Sequence, residues 1–192
     1  MDVKNIIGYL YGDSKMKKQL DEKLCKDHPK IFAQRNGDMT ETAMCWGFDC
    51  GDGWYEIINS LCYLIQSHID WHNSKRERAI KYNEMIKQAQ AGDFTLFDAY
   101  YAGYKPEYVT DTKEKIMTHS IWDIPEPMPQ VVAEQVKEKF GTLRFYTNAT
   151  DDYIRGAISM AEAMSVVTCE ECGNPGQSNS TGWLRVRCKD HE

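Results

Sequence analysis

The feature that most constrains this chain is a paired set of metal-type donors at its end. The last residues read VTCEECGNPGQSNSTGWLRVRCKDHE. Cys169-x-x-Cys172-Gly places two thiols on one tight turn, and Gly173 lets the backbone fold beneath them. After fifteen intervening residues, Cys188-x-x-His191 repeats the arrangement. Three thiolates and one imidazole complete a tetrahedron, the coordination that Zn²⁺ takes. A closed set of four protein donors leaves no open position, so the expected ion is structural rather than catalytic. Its physical task is to fold a tail too polar and Gly-rich to fold alone. The chain has seven cysteines in all, an odd number, which fits a reducing compartment and a metal site better than a disulfide framework.

Composition narrows the class. Of 192 residues 42% are hydrophobic, and 11 Tyr, 6 Phe and 5 Trp can fill a core, which excludes wholesale disorder. The net charge of −6 argues against long nucleic acid, whose affinity comes from many phosphate contacts. The terminal module repeats that balance. Its inter-knuckle loop NPGQSNST is neutral, and Arg185, Arg187 and Lys189 are offset by Glu170, Glu171, Asp190 and Glu192. A small anionic ligand stays compatible, because a few local cations suffice to hold one. No apolar run approaches the ~20 residues of a membrane span. The opening MDVKNIIGYLYGDSK lacks the basic leader and small-residue cleavage site of a signal peptide, so a cytoplasmic location is expected.

Hydrophobic spacing predicts an α+β fold with a helical N-terminal half, a β-hairpin and a C-terminal zinc-ribbon-like module. Residues 13–28 read as a helix capped by Asp13 or Ser14 and ended by Pro29. The stretch 29–54 is loop-rich, dense in Gly and aromatic residues. Residues 54–72 are the strongest helix, with Ile57, Ile58, Leu61, Cys62, Leu64, Ile65 and Ile69 on one face. Residues 73–91 continue helically but are more polar, as a second helix or an exposed extension. Residues 93–129 are mixed and end in a stiff segment with Pro125, Pro127 and Pro129. Residues 130–147 read as a hairpin turning at Gly141, with a helix over 130–139 as the competing reading. Residues 151–164 read as a helix with Ile154, Ile158, Ala161 and Met164 on one side. The domain expectation is a body at 1–164 with an insertion at 73–127, and the zinc module at 165–192.

Outside the terminal cluster, two blocks suggest chemistry. In CWGFDCGDGW, Trp46 and Trp54 offer stacking surfaces and Asp52 an acceptor for a base or ribose; structurally, Gly51 and Gly53 set a turn and Asp52 caps the next helix. In KEKFGTLRFY, Leu143 and Phe145 share one strand face while Arg144 and Tyr146 share the other, a cation beside a ring. His68 and His72 stand four apart on a helix, so with Cys45 and Cys50 they form a candidate second metal site; two half-buried His on a polar face is the plainer reading. No G-x-S-x-G, Walker, Rossmann or zinc-deaminase pattern is present, so no catalytic residue is assigned.

MCWGFDCGDGWYEIINSLC, QVKEKFGTLRFY and the CEECG…GW…C-x-x-H tail together resemble a family of small uncharacterised proteins of tailed bacteriophages and prophages. HPKIFAQR is similar to that family as well. The resemblance spans 28–66 and 130–192, and 73–127 has no counterpart in it. It implies the zinc ligands and a bacterial host cytoplasm, and by analogy of size and setting an inhibitor of host defence. The leading expectation is a non-catalytic protein that sequesters a small nucleotide-type ligand. Trp46, Trp54 and Tyr146 would stack on bases, Arg35, Lys137, Lys139 and Arg144 would neutralise phosphate, and Asp52 would accept hydrogen bonds. One alternative is an adaptor that binds a host or phage protein through 94–122, or pairs with a second copy of the chain. Another is a hydrolase using His68, His72 or His119.

Overall fold

The computed structural model describes residues 15–179 and 182–192. Helix α1 (Lys18–Asp27) stops at His28, because the residue before Pro29 avoids helical dihedrals. It starts later than the sequence pattern suggests, with no side-chain cap at Lys17; the expected caps Asp13 and Ser14 lie outside the described residues. Short 3-10 turns at Ala43–Trp46 and Asp52–Trp54 interrupt the loop that follows.

Helix α2 (Tyr55–Gln90) runs 36 residues without a break. Of the two readings of residues 73–91, the helical extension is the one found, and no second helix begins near residue 73. Residues 73–90 carry no Gly or Pro and are rich in Ala, Lys, Arg, Glu and Gln, all strong helix formers. Its early apolar stripe is buried at Ile57, Ile58, Leu61, Cys62, Ile65 and Ile69, while Leu64, at the stripe's margin, is exposed.

The chain divides into two units. One takes in the described residues up to Ser67 together with Pro129–Glu192; the other is His68–Met128. The segment 73–127, expected as an insertion, lies within the second.

In the second unit, α3 (Thr95–Tyr100), α4 (Pro106–Glu114) and a 3-10 turn at Ile116–Thr118 pack on the later part of α2. Met85, Ile86, Ala89, Phe97, Tyr101 and Ile116 form its core. The Pro-rich segment beyond is extended and strapped antiparallel to α2 by side chains. Gln90 donates to the Ile116 and His119 carbonyls, both at 3.0 Å. Asn83 accepts from the Trp122 N–H at 2.7 Å and donates to its carbonyl at 2.8 Å. Arg76 donates to the Pro125 carbonyl. Asn73 grips Met128 in the same two-way manner, at 3.0 and 3.1 Å. The spacing is self-consistent: ten helical residues rise about 15 Å, and six extended residues span about 19 Å.

In the first unit, β1 (Ala133–Lys139) and β2 (Thr142–Thr147) form the expected antiparallel hairpin, so 130–139 is not a helix. Leu143 and Phe145 are buried, while Arg144 and Tyr146 face outward. An isolated hairpin exposes two unpaired edges; here both are covered. On the β1 side, the Asp49 N–H donates to the Val136 carbonyl at 3.0 Å and the Glu138 N–H to the Asp49 carbonyl at 2.7 Å. On the β2 side, the Leu143 and Phe145 N–H groups donate to Ser165 Oγ and Glu162 Oε1 of α5 (Asp152–Ser165). Helix α5 is capped by Asp151, which accepts from the Ile154 N–H at 2.8 Å. It buries Ile154, Ala161 and Ser165 and leaves Met164 exposed.

The hairpin turn carries a local cost. Phe140 and Gly141 have φ of 56° and 77°, both left-handed, as a two-residue type I′ turn requires. Gly141 adopts this freely, but for Phe140 it costs about 1–2 kcal/mol. Phe140 is 68% exposed and buries little in return. Phe140→Asn is therefore expected to raise the melting temperature by a few degrees in thermal unfolding, even after loss of the Lys139 ammonium contact over the ring at 5.5 Å.

Candidate metal centre and neighbouring residues

The first knuckle is a turn closed by two backbone bonds: the Gly173 N–H donates to the Cys169 carbonyl, and the Cys169 N–H to the Asn174 carbonyl, both at 2.8 Å. Gly173 has φ of 80°. The second knuckle is closed by the His191 N–H donating to the Cys188 carbonyl at 2.9 Å. Strands β3 (Gln177–Ser178) and β4 (Val186–Arg187) pair antiparallel and bring the knuckles together.

The donor atoms of Cys169, Cys172, Cys188 and His191 all lie within 4.8 Å of one another. Cys172 Sγ is 3.6 Å from Cys188 Sγ, and His191 Nδ1 is 3.2 Å from Cys188 Sγ and 3.7 Å from Cys169 Sγ. A tetrahedral ion with the usual bond lengths needs roughly 3.8 Å between sulfurs and roughly 3.6 Å between sulfur and nitrogen. The four residues fit a divalent metal such as zinc. Electrostatics agrees. Burial alone would push the Cys169 thiol up, but backbone N–H groups of Cys188, Cys172 and Glu171 bring it down to about 7. Asn174 pulls Cys172 down, yet burial and the neighbouring Cys188 and Cys169 thiols leave it raised. Several thiolates converging on one point oppose one another until a cation sits between them.

The GDGW block sits directly against this centre. The Gly53 N–H donates to the Glu170 carbonyl at 2.7 Å, the Gly51 N–H to Glu170 Oε1 at 3.0 Å, and the Trp54 indole N–H to the Thr168 carbonyl at 3.0 Å. A Cβ on Gly53 would lie 2.1 Å from the Cys169 carbonyl oxygen, and one on Gly51 2.4 Å from that of Glu170. Both glycines exist for close approach. Glu170, itself buried, also accepts from Arg187 at 2.9 Å, and Arg187 reaches Glu171 at 2.8 Å. Burial pushes the Glu170 carboxyl up against the pull of Arg187 and the Gly51 N–H. The sequence reading missed Glu170 as a linchpin; its signal was an acid following a knuckle cysteine and an Arg preceding Cys188.

The residues expected to bind a ligand are distributed as follows. Trp54 is 0% exposed, so it cannot stack on a base; it is core. Asp52 neither caps α2 nor stands open, since it accepts from the Lys17 backbone N–H and pairs with its ammonium, both at 2.7 Å. Arg35 is committed to Asp21 through two bonds of 2.9 Å and donates to the Cys45 carbonyl. Arg144 donates to the Leu143 carbonyl and lies 3.7 Å from Glu162. Trp46 is 60% exposed. Lys137 and Tyr146 come together, with the ammonium 5.6 Å above the ring, and line a cavity of about 450 Å³ with Gln34, Glu41, Glu134 and Gln135.

His68 and His72 stack edge to face at 4.6 Å. Among the described residues, the terminal cluster is the one set of three or more His, Cys, Asp or Glu donors gathered at ligand distance, so the candidate second site is not assembled. Burial, then the nearby carboxylates led by Glu170, also pushes the Cys50 thiol well up, which disfavours the thiolate a metal needs. No helix among the described residues is long and apolar enough to cross a membrane. Comparison with models of known protein families, with curated proteins and with solved structures found no match.

Proposed function

We propose that this chain is a non-catalytic protein that sequesters a small nucleotide-type ligand, with a structural Zn²⁺ on Cys169, Cys172, Cys188 and His191 in a ribbon-like module. In a phage and its host's cytoplasm, the role is a sponge for a host immune signal. The observation that carries the ligand reading is the pairing of Lys137 and Tyr146 in one cavity with amides and carboxylates. Lys137 suits a phosphate, Tyr146 a base face, Gln34 and Gln135 a base edge, and Glu41 and Glu134 ribose hydroxyls. The zinc supplies rigidity alone, since its four protein donors close the coordination sphere.

Isothermal titration with cyclic dinucleotides, cyclic trinucleotides and ADP-ribose derivatives tests the reading. Binding by at least one is expected, and silence across the panel with folded, zinc-loaded protein removes it. The ligand recovered after denaturation should be unchanged; a converted product would instead favour the hydrolase reading. The adaptor reading draws on exposed Tyr100, Tyr104 and Tyr108, the last two with nearly parallel rings 5.8 Å apart. A stoichiometric protein partner with no small molecule in native mass spectrometry would favour it.

A further inference from the structure

The second unit holds a cavity that the sequence motifs do not touch. Trp71, Lys75 and Arg78 project from α2 at i, i+4 and i+7, one face of the helix. Trp122, Asp123 and Pro125 of the strapped segment form the opposite wall. The space between the walls, open on one side, is about 360 Å³, within the range of small-molecule sites.

Each wall is fixed. Trp122 is held at its backbone by the two-way Asn83 grip, and Asn83 is buried. Its indole is backed by Tyr82, stacked at 3.9 Å and 13°, yet stays 48% exposed. Pro125 is held by Arg76. Trp71 is 54% exposed, with the Lys75 ammonium 5.5 Å above its ring. Among the described residues, neither Lys75 nor Arg78 forms an ion pair; Arg78 makes one long bond, 3.4 Å, to the Ser74 carbonyl. Two half-exposed indoles and two cations without acidic partners among the described residues therefore face one space, with Asp123 as the carboxylate in its lining.

We infer that this cavity binds a nucleoside phosphate. The indoles offer stacking surfaces to a base. Lys75 and Arg78, neighbours on the helix, receive the phosphate, with Arg78 able to fork onto two oxygens. Asp123 accepts from a ribose hydroxyl or an exocyclic amine. An acidic peptide would satisfy the cations equally, but a half-open cleft of this volume with an indole from each wall suits one flat heterocycle better than an extended chain. The inference rests on the nucleotide reading for the ligand class and adds a place of binding separate from that of Lys137 and Tyr146.

The test titrates the zinc-loaded full chain with AMP, GMP, ADP and a cyclic dinucleotide, with inorganic phosphate, adenosine and an acidic Trp-containing peptide as further arms. Lys75→Gln, Arg78→Gln and Trp71→Ala all alter exposed helix positions, so the fold is retained, which circular dichroism checks. The expected result is binding of at least one nucleotide that each variant weakens about tenfold or more and that Lys87→Gln, an exposed position on the same helix outside the cavity, leaves unchanged; Lys137→Ala with Tyr146→Ala is titrated alongside. Loss of binding only in the Lys137/Tyr146 variant overturns this assignment and leaves the proposed function standing. No binding by any nucleotide overturns the assignment. Phosphate alone binding as tightly as the nucleotides, or the peptide binding in their place, overturns it as well.

Discussion

Gly53→Ala is expected to lower the melting temperature by about 10 °C. The added Cβ would meet the Cys169 carbonyl oxygen at 2.1 Å, the Gly173 nitrogen at 2.4 Å and the Glu170 carbonyl oxygen at 2.7 Å. All three are backbone atoms of the first knuckle, and none can swing aside as a side-chain tip could. Either the knuckle lifts off the GDGW loop or the loop moves, and each breaks the 2.7 Å bond from the Gly53 N–H to the Glu170 carbonyl. Overpacking of this kind costs about 3 kcal/mol at its upper end, and each kcal/mol moves the midpoint of a chain this size by roughly 2–4 °C. Gly156→Ala provides the control. That glycine lies inside α5, and nothing stands within 4 Å of the place its methyl group would take. Removing a glycine from a helix interior gains about 0.5–1 kcal/mol, so this variant should melt slightly higher. Differential scanning fluorimetry of the pair decides the matter: equal shifts would show that close approach at residue 53 is not what holds the knuckle.

The same contrast explains what could be read from sequence. Local periodicities were legible. Leu143 and Phe145 alternate with Arg144 and Tyr146, and the strand keeps that alternation. The C-x-x-C and C-x-x-H spacings marked all four donors, because each knuckle is built from neighbours in the chain. What was not legible depends on distant partners. The glycines at 51 and 53 suggested a turn and a cap, but their reason lies at residues 169 and 170, more than a hundred positions away. Trp54 invited a stacking role on composition alone; only the tertiary fold shows its indole N–H satisfied by the Thr168 carbonyl. Arg35 and Arg144 looked like phosphate ligands because sequence does not disclose that Asp21 and Glu162 lie beside them. The cavity of Trp71 and Trp122 joins residues some fifty positions apart through two asparagine side chains, a link without any local pattern.

Metal removal should have the largest effect. Treating the protein with a strong zinc chelator, or replacing Cys188 with Ser, is expected to release the segment 165–192 from its folded state. Among its described residues, that tail has two short paired strands and few buried apolar residues beyond Val186, too little to offset the entropy of ordering it. An ion held by these four residues would tie the two knuckles together, and its binding free energy would be folding free energy for the module. At a free-ion concentration a thousandfold above Kd the stabilisation is about 4 kcal/mol. The consequences reach past the tail. Glu170 and the Thr168 carbonyl hold Gly51 and the Trp54 indole at the entrance to α2, so loss of the module leaves a buried indole N–H and backbone N–H groups without partners, at about 1–3 kcal/mol each. Hydrogen exchange should therefore rise first over 165–192 and then over 49–56, while the core of His68–Met128 keeps its protection. Unchanged exchange at 49–56 in metal-free protein would show that the tail is an appendage, and that the GDGW loop holds its shape without it.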